Sequence, residues 1–145
     1  VLAAHAIATA QSKDPFVGTW VFDAAKSSFK PGPALKSATV VVEPAGAGIK
    51  VAVDAVSDDG KPTKWGYTSL RDGKDVPVTG SPMYDAAALT LTSPTTGTTV
   101  YKKDGKAVAT TKSAVSADGK TLTLNSTGTD PKGQAIQNVL VFTKK

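Results

Sequence analysis

An all-β fold, an antiparallel up-and-down meander of about 8–10 strands closed into a barrel, is what this sequence predicts. Three observations carry the prediction: evenly spaced Asp-Gly turns, apolar residues alternating with polar ones between them, and a composition rich in Thr and Ser. Thr, with 19 copies, is β-branched and suits a pleated surface with one wet face.

The turns set the rhythm. Asp-Gly-Lys stands at Asp59-Gly60-Lys61, Asp72-Gly73-Lys74, Asp104-Gly105-Lys106 and Asp118-Gly119-Lys120, and Ala45-Gly46-Ala47-Gly48 and Pro131-Lys132-Gly133 keep the same beat. Asp-Gly favours tight hairpins because the turns that match strand twist need positive φ, which Gly takes freely and Asp more readily than most residues. The steps from Gly46 to Gly60, Gly60 to Gly73, Gly105 to Gly119 and Gly119 to Gly133 are 14, 13, 14 and 14 residues, room for one strand and one turn each.

Taken in order, Phe16 to Asp23 reads as the first strand. Ala24-Ala25-Lys26-Ser27-Ser28-Phe29 is the one helical candidate, a turn or two halted by Pro31-Gly32-Pro33. Ala38 to Glu43 follows as a strand. In the next, Ile49, Val51, Val53 and Ala55 share one face, the period of two expected of a half-buried strand. Thr63 to Leu70, Ala86 to Thr92, Thr98 to Lys103 and Ala107 to Val115 continue the series. Leu122 and Leu124, then Ile136, Asn138, Leu140 and Phe142, alternate in the last two strands. A long meander must protect its edges, and closure removes them, so a barrel is preferred to a two-sheet sandwich.

The 145 residues fill one domain, assigned to 11–145. Residues 1–10 are apolar and end in Ala8-Thr9-Ala10, the small-x-small pattern of a signal-peptidase site. They read as the tail of a signal peptide, which implies a secreted, periplasmic or cell-surface protein. Alternatively they stay as an ordered N-terminal segment. No other apolar run nears the roughly 20 residues that cross a bilayer as a helix.

The net charge of +5 comes from scattered lysines, and Arg71 is the only Arg. Nucleic-acid readers need Arg forks and stacking platforms, so no nucleic-acid partner is expected. His5 is the only His, Glu43 the only Glu, and Cys is absent. No nucleophile–base constellation and no His/Cys metal site can be built from residues 11–145, so neither an enzyme, nor a metal, nor a cofactor is expected. Asp58-Asp59 and Asp72-x-x-Asp75 are acidic, but they stand where turns call for Asp. Asn125-Ser126-Thr127 matches a glycosylation sequon.

Phe16-Val17-Gly18-Thr19-Trp20-Val21-Phe22 opens the first strand. It resembles the Gly-x-Trp motif at the first strand of lipocalins and fatty-acid-binding proteins, the calycin group. The resemblance implies that Gly18 is a bend and Trp20 a plug at the closed end of a barrel. Lipocalins place a cation near the last strand over that Trp, a place held here by Lys144 and Lys145. The Arg-x-Tyr carboxylate grip of fatty-acid-binding proteins has no counterpart after Arg71. The chain also resembles small exported lipocalin-like proteins of environmental bacteria, through its DPFVGTW, DGKPT and TSPTT stretches.

Two functions follow as expectations. The first is non-enzymatic binding of a small molecule in the barrel by Trp65, Tyr67, Arg71 and Tyr101, with Met83 and Tyr84 nearby. The second is an extracellular assembly or filament, in which Leu2, Ala4, Ala6 and Ala8 form one face of a segment added to a neighbour's sheet edge.

Overall fold

The computed structural model describes residues 14–30, 34–130 and 132–145. The leader reading and the assembly residues Leu2, Ala4, Ala6 and Ala8 lie outside the described residues. The strands are β1 (Gly18–Phe22), β2 (Ser28–Lys30), β3 (Leu35–Ala45), β4 (Gly48–Ser57), β5 (Pro62–Ser69), β6 (Asp72–Pro77), β7 (Ala86–Ser93), β8 (Thr96–Lys103), β9 (Lys106–Val115), β10 (Thr121–Thr129) and β11 (Ala135–Lys144). A single 3-10 turn, Ala24–Lys26, follows β1. Among the described residues no helix is long and apolar enough to cross a membrane.

Every ladder is antiparallel, and the order β5-β4-β3-β1-β11-β10-β9-β8-β7-β6 bends into a nearly closed barrel. Such an architecture is compatible with a calycin-like fold. β1 and β2 share the neighbour β11 and are separated by the 3-10 turn. That turn is tied to β11 from outside: Asp23 N–H donates to Val141 O at 2.8 Å, and Val141 N–H donates to Ser27 Oγ at 2.9 Å.

The ring closes at a seam between β5 and β6. One bridge joins β5 to the chain just after β6, with Gly66 N–H donating to Thr79 O at 3.1 Å and Thr79 N–H returning to Gly66 O at 3.0 Å. By strand order the seam lies opposite the β1–β11 pair. Gly80, with φ +87°, permits this approach: a Cβ there would stand 2.1 Å from Lys64 O.

Two details of the sequence reading are corrected. Asp72-Gly73-Lys74 is the start of β6 rather than a hairpin turn. The reversal falls one step earlier, at Leu70-Arg71, where Arg71 takes a left-handed φ of 59°. Ser28-Phe29-Lys30 leaves the helical turn and pairs with β11 as β2. The Asp104-Gly105 reversal has left-handed φ at both residues, 52° and 79°, as a two-residue hairpin demands.

A meander puts successive turns at alternate ends of the barrel, and the two ends differ. The entry to β1, the exit of β11 and the β3–β4, β5–β6, β7–β8 and β9–β10 turns share one end. Its inward side chains, including Phe16, Trp20, Val42, Ile49, Ser69, Leu89, Leu122 and Phe142, are buried. Burying aromatic and branched aliphatic side chains stabilises by roughly 1.5–3 kcal/mol each, so this end anchors the core.

Candidate functional site in the open half

The closed end is locked by a chain of polar contacts around Trp20, which is 0% exposed. The Trp20 indole N–H donates to Phe16 O at 2.9 Å, and Phe16 N–H donates to Asp14 Oδ1 at 3.0 Å. Asp14 Oδ2 in turn meets Arg71 Nη2 at 2.7 Å. Asp14 precedes β1 and Arg71 lies at the foot of the seam, so the ion pair straps the closed end from side to side. Ser69 Oγ, buried, accepts the Arg71 backbone N–H at 2.9 Å and fixes the left-handed turn. Lys144 Nζ sits 5.0 Å from the Trp20 ring centroid, in the place that the resemblance implied. Gly18 has φ +146°, and a Cβ there would meet Lys144 Cε at 2.8 Å.

The other half of the barrel is built differently. Residues facing each other across antiparallel strands project to the same side, so inward positions can be traced laterally from the buried ones. One such row runs Leu89, Thr99, Thr111, Ser126, Asn138 and Phe29 across six strands. The next row toward the opening runs Ala87, Tyr101, Ala109, Gly128 and Ile136. Trp65, Tyr101, Ser126, Ile136 and Asn138 stay half-buried although they face inward. Ala87, Thr99, Ala109 and Thr111 of the same two rows are buried, so exposure is confined to part of this half.

One wall of this half is aromatic. Trp65 and Tyr67 come from alternate positions of β5, Tyr101 from β8, and Tyr84 from the β6–β7 connection. The Tyr84 and Tyr101 rings stack at 4.5 Å. Trp65 meets Tyr101 edge-on at 5.8 Å and Tyr84 at 6.0 Å, while Tyr67 meets Tyr101 at 6.3 Å. Edge-to-face and offset arrangements of this kind suit the ring quadrupoles. The β6–β7 connection that carries Tyr84 is pinned at both ends. Ser81 Oγ accepts the Tyr84 N–H at 3.2 Å, and Asp85 Oδ2 accepts the Asp104 N–H at 2.9 Å.

The facing wall, on β9, β10 and β11, is small and hydroxylic. Thr111 Oγ1 donates to Ser126 Oγ at 3.0 Å, and Asn138 Oδ1 accepts the Lys30 N–H at 3.2 Å. Burial raises the pKa of all three tyrosines above the ordinary value, Tyr101 most strongly. At Tyr101 the neighbouring Tyr67 adds to the rise, whereas Tyr67 is partly relieved by hydrogen bonds with Tyr101 and Thr99. All three phenols are protonated at neutral pH, and Tyr101 gives its proton to the Tyr67 oxygen.

Of the expected binding residues, the structure brings Trp65, Tyr67, Tyr84 and Tyr101 together. Arg71, in the β5–β6 turn, is paired with Asp14, and no ring contact joins it to the cluster among the described residues. Met83 is exposed, as is Asn125 on the outer face of β10. A shallow groove also crosses the outside of β3, β4 and β5 beside the seam, bordered by Thr39, Val41, Ala52, Lys64 and Thr79. It follows the outward faces of these strands, where Lys64 Nζ stands 3.8 Å from Asp54 Oδ2 with both side chains exposed. The hydroxyl row of Thr99, Thr111, Ser126 and Asn138 escaped sequence reasoning. Its members lie far apart in the chain, and only the register of four strands aligns them.

Among the described residues no three His, Cys, Asp or Glu side chains gather into a group able to hold a metal ion. No protein-family model matches the chain, and no curated protein matches it in sequence.

Proposed function

We propose that this protein is a lipocalin-like, non-enzymatic carrier or sensor that binds a small molecule in the open half of its barrel. One observation carries the reading. An aromatic cluster and a row of small polar side chains share the half of the barrel whose inward residues stay partly exposed, while the opposite end is packed and strapped shut. A ligand site needs this combination of apolar surface, a few convergent polar groups and one entrance. The Gly18-x-Trp20 motif with Lys144 over the ring supports kinship with lipocalins. A place outside the cytoplasm, whether secreted, periplasmic or at the cell surface, goes with the reading through the apolar leader.

The test is saturable binding of a neutral environment-sensitive dye, phenylnaphthylamine, followed by its fluorescence. The native chain and Asn125→Trp, which adds bulk to the outer face of β10, should both bind the dye. Ser126→Trp, which fills the interior from the neighbouring position, should lose at least tenfold in affinity while melting as a folded protein. Absence of saturable binding by the native chain, or equal binding by the Ser126→Trp protein, overturns the proposal.

A further inference from the structure

We infer that the ligand is a neutral, flat-ringed molecule carrying a carbonyl or ether oxygen, and that the barrel turns away anions. The inference rests on the binding reading above and adds the chemical class. Its first support is the distribution of charge. The two inward rows of the open half, Leu89 to Phe29 and Ala87 to Ile136, carry no charged side chain, and Lys103 and Asp130 follow only beyond them at the rim. At the closed end Arg71 meets Asp14 through Nη2, its buried Nη1 having no hydrogen-bond partner among the described residues, and the exposed Lys144 lies against the Trp20 ring. An anion entering the open half would shed its water without meeting a counter-charge, a heavy penalty.

The second support is hydrogen-bond polarity. Thr111 gives its proton to Ser126, so the Ser126 hydroxyl keeps its own proton to donate. The Asn138 carbonyl oxygen is already taken by the Lys30 N–H, which leaves the amide N–H groups as what Asn138 offers. The Tyr84 phenol, in the aromatic cluster with Tyr101 and Trp65, is held protonated by burial, while Tyr101 gives its proton to Tyr67. The interior is therefore rich in donors, and it calls for acceptor oxygens on the ligand. A plain hydrocarbon would leave those donors unpaired on losing their water, which is itself costly. The third support is shape: rings meeting at 4.5–6.4 Å, some stacked and some edge-on, form a wall that a flat ring extends in either geometry.

Three probes that share one ring system separate these requirements: acetylnaphthalene, naphthoate and naphthalene, each competing against the bound dye at neutral pH. Acetylnaphthalene should displace the dye at a concentration at least tenfold lower than naphthoate and several-fold lower than naphthalene. Ser126→Ala and Asn138→Leu should each shrink the advantage over naphthalene while leaving naphthalene itself unchanged. Naphthoate competing as well as the ketone overturns the class, and so does failure of all three probes against a dye that binds. In both cases the binding reading survives. If no dye binds at all, the reading fails and the class fails with it.

Discussion

Lys144, the penultimate residue, places its ammonium 5.0 Å from the centroid of the Trp20 ring, which no solvent reaches. The register pairs these two residues directly across β1 and β11, so the ladder that joins the first strand to the last also sets the cation on the indole. Lys144 is itself exposed, and contacts of this kind near solvent contribute about 0.5–1 kcal/mol. Lys144→Ala should lower unfolding stability by about that amount, and Lys144→Arg should keep most of it. Urea denaturation of the three proteins checks this, and equal midpoints for all of them would show the contact to be energetically idle.

The Asp14–Arg71 strap should couple the entry of β1 to the foot of the seam. Both side chains are largely shielded, with 26% and 14% exposure, so each charge depends on the other more than a surface pair would. Asp14→Ala leaves the guanidinium without its partner and should cost about 1–3 kcal/mol. A double-mutant cycle with Arg71→Ala should return a coupling of about 0.5–3 kcal/mol. A coupling of zero would mean that the strap contributes nothing.

Alkaline pH should weaken the fold through the aromatic wall. Tyr67, Tyr84 and Tyr101 all have pKa values raised in the folded state, chiefly by burial. Above about pH 10 the unfolded chain loses phenolic protons that the native state retains. The unfolded state then binds fewer protons, so stability is full below that pH and declines as pH rises through it. Tyrosinate absorbance should appear together with loss of structure in circular dichroism. Tyrosines that ionise at their ordinary pH in a protein that remains folded would contradict the burial of this wall.

The seam should be the most easily opened part of the barrel. Gly80→Ala forces a Cβ toward Lys64 O at 2.1 Å in a backbone conformation that side chains rarely adopt. A cost of about 1–3 kcal/mol is expected. Amide exchange should speed up at Gly66 and Thr79 before it does in the β1–β11 ladder. Uniform exchange across the barrel would argue against a localised opening.

The strands whose side chains alternate cleanly were legible in the sequence. β4 announces itself through Ile49, Val51, Val53 and Ala55, and the structure keeps all four on the inner face. β6 was hidden because Asp72-Gly73 looks like its sister turns, and nothing local reveals that Arg71 takes over the reversal. β2 was hidden by its length, since three residues carry no period. The aromatic members of the candidate site could be proposed one strand at a time, because Trp65 and Tyr67 share a face by parity alone. The facing wall could not. Thr111, Ser126 and Asn138 are ordinary strand residues until lateral register puts them in one row, and register is a property of pairs of strands.

The seam and the β1–β11 ladder together divide the barrel into two leaves, each continuous in sequence: β1 to β5 and β6 to β11. Each leaf is built from hairpins between chain neighbours, apart from the short β2, and such local pairings close quickly. The ladder that forms the spine is another matter, since Thr143 and Val21 touch across 122 intervening steps of the chain. Loops of that span are slow to close, and folds dominated by such contacts mature in about milliseconds to seconds. During synthesis the first leaf therefore stands with the open edge of β1 waiting for a partner that emerges only after β6 to β10.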